Sequence, residues 1–231
     1  MTISFPEFPS ATAVAVQRFV PLAPADEAIN GPYRRVFKRL LDIAVIVVAA
    51  PIVVPLIAGL AVGVALRDGK PFYSQSRVGC GGRIFRMWKL RSMVADADAR
   101  MAGYLAVNPA AKAEWDTTQK LKNDPRITPF GRFLRRSSLD ELPQLWNVLT
   151  GDMSLVGPRP MMPCQQDLYP GDAYYLMRPG ITGYWQTAGR NRTTFAARAA
   201  FDAAYEAHVT LATDVQILAR TVAVVLRGTG Y

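Results

Sequence analysis

At 231 residues the chain holds one compact domain with added segments, long enough to bury a substantial core. Lys and Arg outnumber Asp and Glu by 27 to 18, and the net charge of +9 favours polyanionic partners without choosing among nucleic acid, anionic lipid and phosphorylated substrates. A single histidine, His208, excludes a His-rich zinc site and argues against a serine–histidine–aspartate scheme, and Cys80 and Cys164 read as reduced thiols rather than a disulfide framework. The chemistry is left to carboxylates, cations and an oxygen-bound metal.

The N-terminal stretch has neither the basic start nor the unbroken apolar run of a secretory leader. Residues 1–32 are expected to be a poorly ordered tail. Residues 33–67 form a membrane segment. From Ile43 to Leu66 no charge occurs, more than the ~20 residues a helix needs to cross a bilayer core. Pro51 and Pro55 interrupt this run, and proline kinks or breaks a helix. Both flanks are basic: Arg34, Arg35, Lys38 and Arg39 before, Arg67 and Lys70 after. A helix that enters the membrane, breaks at Pro55 and returns fits these features, and so does a single kinked span.

Residues 68–231 form the globular domain. PFYSQSRVGCGGRIFRMWKLRSM reads as a β-hairpin around Gly79–Gly82, its second strand ending at Lys89 and Arg91. The glycines match no phosphate-loop pattern. An Ala-rich helical stretch over 94–120 breaks at Asn108-Pro109. GRFLRR is a basic amphipathic segment suited to an anionic membrane surface or a nucleotide. A short helix from Leu145 stops at Thr150-Gly151, and two helical patterns close the chain.

The most informative segment is SSLDELPQLWNVLTGDMSLVGPRP. Asp140 and Glu141 adjoin each other, with Arg135 upstream and Arg159 downstream. Ser138 to Glu141 matches a capping box, which would explain both acids structurally. A phosphate site is the other reading. Adjacent helical residues point ~100° apart, so the two carboxylates would hold separate tasks rather than share a proton. One could attack phosphorus and the other hold a cation, with Lys89, Arg91, Arg135 and Arg159 neutralising a diphosphate.

Taken in order, KRLLD, the Pro-broken apolar run, WKLRSM, SLDELPQLWNVLTGDMSLVGPRP and RPGITGYWQTAGRN resemble the bacterial sugar transferases, the monotopic polyprenyl-phosphate phosphoglycosyl transferases. EWDTTQKLKNDPRIT and the terminal RGTGY look most like the exopolysaccharide-initiating galactose-phosphate and hexose-phosphate members. The resemblance implies a mostly helical α+β fold: a re-entrant hairpin, a small β-hairpin and interfacial amphipathic helices around a cytosolic catalytic domain. It also implies transfer of a hexose 1-phosphate from a UDP-hexose to undecaprenyl phosphate with release of UMP. Asp140 would be the nucleophile of a ping-pong reaction, Glu141 its assistant, and Mg2+ the cofactor, held by Asp140 and Glu141. Lys89, Arg135 and Arg159 fall on the family's basic site positions. The implied location is the cytoplasmic face of the bacterial inner membrane, in contact with membrane lipid. Where the family often has Ser-Pro at the helix break, this chain has Val54-Pro55, with Pro51 one turn earlier. A non-catalytic membrane adaptor of polysaccharide assembly is the alternative. No nucleic-acid module is present, so charge alone supports nucleic-acid binding. The choice of sugar and the oligomeric state, a homodimer included, stay open.

Overall fold

A computed structural model describes residues 31–118, 121–189 and 194–226; the expected tail, up to Asn30, and the RGTGY ending from Arg227 on lie outside them. After a π-helical turn at Tyr33–Phe37, helix α1 runs over Lys38–Asp68. Gly69, at φ 81°, ends it and donates its N–H to the Ala65 carbonyl at 3.1 Å. The chain stays helical through Pro51 and Pro55, so one continuous helix stands where two arms around a break were expected. Each proline lacks an N–H, which removes the helical donor from the carbonyls of Val47 and Pro51. These positions lie one turn apart on one face, and the flanking turns keep their own bonds.

Helix α1 is fastened to the globular part at both ends. Near its start, Lys38 donates to Asp214 at 2.6 Å and to the Tyr205 hydroxyl at 2.9 Å. Arg39 donates to the carbonyls of Val148 and Leu149. Asp42, only 2% exposed, accepts from the Ser154 hydroxyl at 2.8 Å and the Leu155 N–H at 3.0 Å. Near its end, Ala61 and Val64 pack with Leu90 and Leu134, and Arg67 lies over the Phe130 ring at 5.9 Å. Between these anchors Val47, Val48 and Ile52 face outward.

Strands β1 (Phe72–Val78) and β2 (Ile84–Leu90) pair antiparallel, with Tyr73 opposite Lys89 and Arg77 opposite Phe85. Gly81 and Gly82 turn the hairpin at φ 66° and 78°, a region only glycine enters freely. Helices α2 (Ala97–Val107) and α3 (Pro109–Thr118) meet at Asn108, as expected, and the Asn108 side-chain oxygen accepts from the Ala111 N–H at 3.1 Å. Helix α4 (Pro129–Arg136) is capped by the Thr128 hydroxyl, and α5 (Gln144–Thr150) ends at Gly151, φ 87°. Strands β3 (Ser154–Val156) and β4 (Gly180–Thr182) pair parallel, a contact with no counterpart in the expected elements. Helices α6 (Arg198–Glu206) and α7 (Leu211–Leu226) complete the fold. Phe85, Met87, Val148, Met153, Phe201 and Ile217 form its main core. The architecture is a mostly helical α+β domain with one long apolar helix, by length and composition sufficient to cross a membrane.

Candidate active site

Asp140 and Glu141 lie in a single 3-10 turn, Leu139–Glu141, between α4 and α5. Ser138 enters that turn at φ 57°, and is the one non-glycine residue with positive φ among the described residues. Its side chain makes no capping bond, so the capping-box expectation is overturned. A left-handed residue aims its side chain differently from an N-cap in extended backbone. The Glu141 carboxylate, which a capping box would fold back on the backbone, turns instead to two cations. Lys89 donates to Glu141 Oε1 at 2.8 Å and Arg159 donates to the same oxygen at 3.1 Å.

Each cation arrives from a different element. Lys89 is near the end of β2, on the same face as Met87. Arg159 sits in the Gly157–Pro160 turn, which hydrogen bonds tie to β4: Gly157 N–H to Thr182 at 2.8 Å, and Gly180 N–H to Pro158 at 2.8 Å. These backbones touch; a Cβ on Gly180 would come 2.1 Å from the Gly157 nitrogen. Arg135, at the end of α4, donates through Nε to the Ser92 hydroxyl at 2.9 Å and adds its charge to the field on Asp140. Gly131 lets α4 approach there, since a Cβ would meet the Ser92 carbonyl at 1.9 Å. Of the four cations expected around the pair, Lys89, Arg135 and Arg159 converge on it. Arg91 is not among the leading charges on either carboxylate, and its backbone N–H closes on Pro71 at 2.8 Å.

The environment separates the two acids. Asp140 is 5% exposed, and burial raises its pKa above the ordinary carboxylate range against the pull of Lys89, 3.9 Å away. Burial also acts to raise Glu141, but Lys89 and Arg159, by charge and hydrogen bond, hold its pKa well below the usual range. Two carboxylates pushed apart in this way can do different work.

Two further arginines escaped sequence reasoning. Arg77, on β1, lines the same polar recess as Lys89, Glu141 and Arg159, and donates to the Pro160 carbonyl at 3.2 Å. Burial, then the neighbouring Arg159, brings its pKa down to about 10. Arg198 is held between the rings of Trp185 and Phe195, its guanidinium carbon 4.1 and 4.5 Å from their centroids. Burial, then Arg159, brings its pKa down to about 9. Strand alternation places Arg77 on the Lys89 face once the hairpin register is known; for Arg198 no local signal exists.

The family model for bacterial sugar transferases matches residues 33–228. The chain belongs to that family. The match reaches from the turn before α1 past the end of the last helix and includes every side chain of this recess. An undecaprenyl-phosphate galactose phosphotransferase of Salmonella typhimurium is 46% identical over 200 residues, 85% of this chain and 41% of the relative. An exopolysaccharide production protein, ExoY, of Sinorhizobium fredii is 38% identical over 224 residues, 96% of this chain and 98% of the relative. A UDP-glucose:undecaprenyl-phosphate glucose-1-phosphate transferase of Escherichia coli is 34% identical over 214 residues, 88% of this chain and 43% of the relative. The sugar transferase chain thus spans about two fifths of several curated relatives it matches and nearly the full length of another.

Proposed function

We propose that this chain transfers a hexose 1-phosphate from a UDP-hexose to undecaprenyl phosphate at the cytoplasmic face of the inner membrane, as the opening step of exopolysaccharide synthesis. One observation carries this reading: a buried carboxylate, Asp140, lies beside a Glu141 already neutralised by Lys89 and Arg159, so the surrounding guanidinium charge is left for an anion. The charge of Arg159 lowers the proton affinity of both Arg77 and Arg198, and a diphosphate would relieve that repulsion.

An Asp140 oxygen attacks the β-phosphorus of the UDP-sugar, the bond from that phosphorus to the bridging oxygen breaks, and UMP leaves with the electron pair. An oxygen of the lipid phosphate then attacks the same phosphorus, and Asp140 departs as a free carboxylate. Burial supports the first step, because a more basic carboxylate is a better nucleophile. Lys89 and Arg159 fix Glu141 and hold positive charge where the non-bridging oxygens gain negative charge. The adaptor alternative rested on a cap role for this turn, and Ser138 supplies no cap.

Mg2+ is commonly held by one or two carboxylates together with substrate phosphates. The donor set suits that mode. Asp140 and the second oxygen of Glu141 would hold the ion, and no group of three or more His, Cys, Asp or Glu occurs among the described residues for a resident one. When bound, the ion supplies charge neutralisation at the diphosphate.

The anchoring of α1 supports a monotopic placement. A straight helix from Asp42 to Ala61 extends ~28 Å, close to the thickness of a bilayer core. Both of those positions pack on the same domain. A simple crossing would put the two ends on opposite sides of the membrane, so a helix whose apolar middle meets the membrane from one side, with both ends kept on the domain, fits better.

The test is UMP release by the full chain in nanodiscs with Mg2+ and undecaprenyl phosphate, across a panel of UDP-sugars. Release with a UDP-hexose, lost in Asp140→Asn with folding and membrane association kept, is expected. Turnover retained by Asp140→Asn would remove the nucleophile assignment, and no release with any donor would remove the reading.

A further inference from the structure

Between the two anchored ends of α1 the helix stands off from the domain, and a groove of about 380 Å3 lies beneath it. Ile46, Ala50, Val53 and Ile57 form its roof, at the spacing of one helical stripe. Trp88 on β2 and Phe72 on β1 form one wall, and Leu145, Trp146 and Leu149 of α5 form the other. The lining is almost wholly apolar, yet Trp146 is 62% and Trp88 36% exposed. Apolar surface of this kind outside a core marks a binding site or a lipid contact.

The position of the groove narrows the choice. Leu142 and Pro143 line it, and they directly follow Asp140 and Glu141. The next residue, Gln144, lines the polar recess with Lys89 and Arg159. The same division runs through β2: Trp88 faces the groove, while Met87 and Lys89 face the recess. Groove and recess therefore share the wall made by β2 and residues 141–144. A ligand that joins a phosphate to a long hydrocarbon matches that layout, and a volume within the ~300–1,000 Å3 range of ligand sites suits a short part of the chain.

We propose that this groove receives the first isoprene units of the lipid acceptor and so directs its phosphate toward Asp140. This assignment rests on the reaction proposed above. Tryptophans 88 and 146 flank the chain, and the four α1 residues of the stripe cover it from the membrane side. The rest of the polyprenyl tail leaves between the prolines' turn of α1 and α5 into the bilayer.

The experiment uses the full wild-type chain in nanodiscs of phosphatidylethanolamine and phosphatidylglycerol. A polyprenyl phosphate carrying a diazirine on an isoprene unit near the phosphate is photolysed, and the labelled peptides are mapped by mass spectrometry. Labelling of Ile46, Ala50, Val53 and Ile57 and of residues 142–149, displaced by undecaprenyl phosphate, is expected. Labelling only at outward positions such as Val48, or equal labelling of the groove by a diazirine phospholipid that undecaprenyl phosphate does not displace, would overturn the proposal. Kinetics give a second readout: Ala50→Trp, which fills the groove, should raise the acceptor KM about tenfold with the donor KM unchanged, whereas Val48→Trp on the outer face should change neither. An unaltered acceptor KM in Ala50→Trp would also overturn it. UMP release by the wild type tests the underlying reaction separately, because labelling needs no turnover.

Discussion

Lys89 is the cation that couples both carboxylates, and its removal gives the sharpest test of the electrostatic reasoning. Its ammonium is 3.9 Å from Asp140 and 2.8 Å from Glu141. For the longer contact, Coulomb's law gives about 1 kcal/mol at the dielectric constant of water and about 4 kcal/mol at the effective value of ~20 typical of proteins. Asp140 is almost fully buried, which favours the larger figure. Lys89 lowers the pKa of Asp140, so Lys89→Met raises it, and the deprotonated nucleophile is reached only at higher pH. UMP release on the acid limb should fall, by no more than the roughly thousandfold that the larger energy converts to. The acid limb of the pH–rate profile should move to higher pH, so part of the loss returns as the solution is made alkaline. Lys89→Arg keeps the charge and should hold the limb near its original place at a reduced rate. The assay is initial UMP release from pH 5 to 9 in nanodiscs. A Lys89→Met profile lowered uniformly, with its acid limb unmoved, would refute the idea that Lys89 tunes Asp140 and leave it a substrate-binding group only.

Other outcomes follow from the same contacts. Asp42→Ala strands the Ser154 hydroxyl and the Leu155 N–H inside the protein and should cost about 3 kcal/mol, read as a lowered melting temperature in nanodiscs. Ser138→Gly should preserve activity and leave stability equal or better, while Ser138→Val, β-branched at φ 57°, should lose both; melting and UMP release check this. Asp202, which accepts from Tyr169 at 2.9 Å, has its pKa raised by burial from 3.8 to about 7. Between those values the folded chain keeps a proton that the unfolded chain has lost, so this group's stabilisation is complete at low pH and declines by about 1.4 kcal/mol per pH unit toward neutrality. Asp202→Asn should therefore gain stability over the wild type as pH rises from 4 to 7, and an unchanged difference across that range would contradict it.

What the sequence made legible is what local chemistry encodes. Glycines mark the β1–β2 turn, Asn108-Pro109 separates α2 from α3, and Gly151 stops α5, because each needs a backbone shape that few residues supply. Lys89 and Arg159 were legible as phosphate-site cations for another reason: Lys89 ends a hairpin strand, Arg159 stands between two prolines, and both fall on basic positions of the family the chain resembles. The rest depends on distant pairings. Strands β3 and β4 are three residues each and meet across 26 positions, too short for any periodicity to register. Lys38 and Arg39 read as part of a basic flank of a membrane segment, yet they bond to Asp214 and to the end of α5, and Asp42 beside them bonds to β3. A charge seen only in sequence cannot say whether it faces lipid headgroups or a carboxylate more than a hundred residues away. Ser138 gave a cap signature that its left-handed backbone cancels, since a capping pattern presumes extended geometry at the cap.

The two anchors of α1 also bear on its prolines. A Ser-Pro break would satisfy the freed carbonyl with a hydroxyl, and Val54-Pro55 has none to offer. In this chain the path of α1 is constrained from outside the helix as well. Asp42 holds one end against β3, and Val64 holds the other against Leu90 and Leu134. Bending at the prolines then costs less than detaching either end, because detachment strands a buried carboxylate at one end and uncovers a packed apolar cluster at the other. The stretch between the anchors is the one that roofs the apolar groove. Groove width and the position of the turn carrying Asp140 are thus linked through one helix. That linkage supports an assignment in which a lipid-borne phosphate approaches Asp140 from the membrane side and the nucleotide sugar from the side of Arg77 and Arg198.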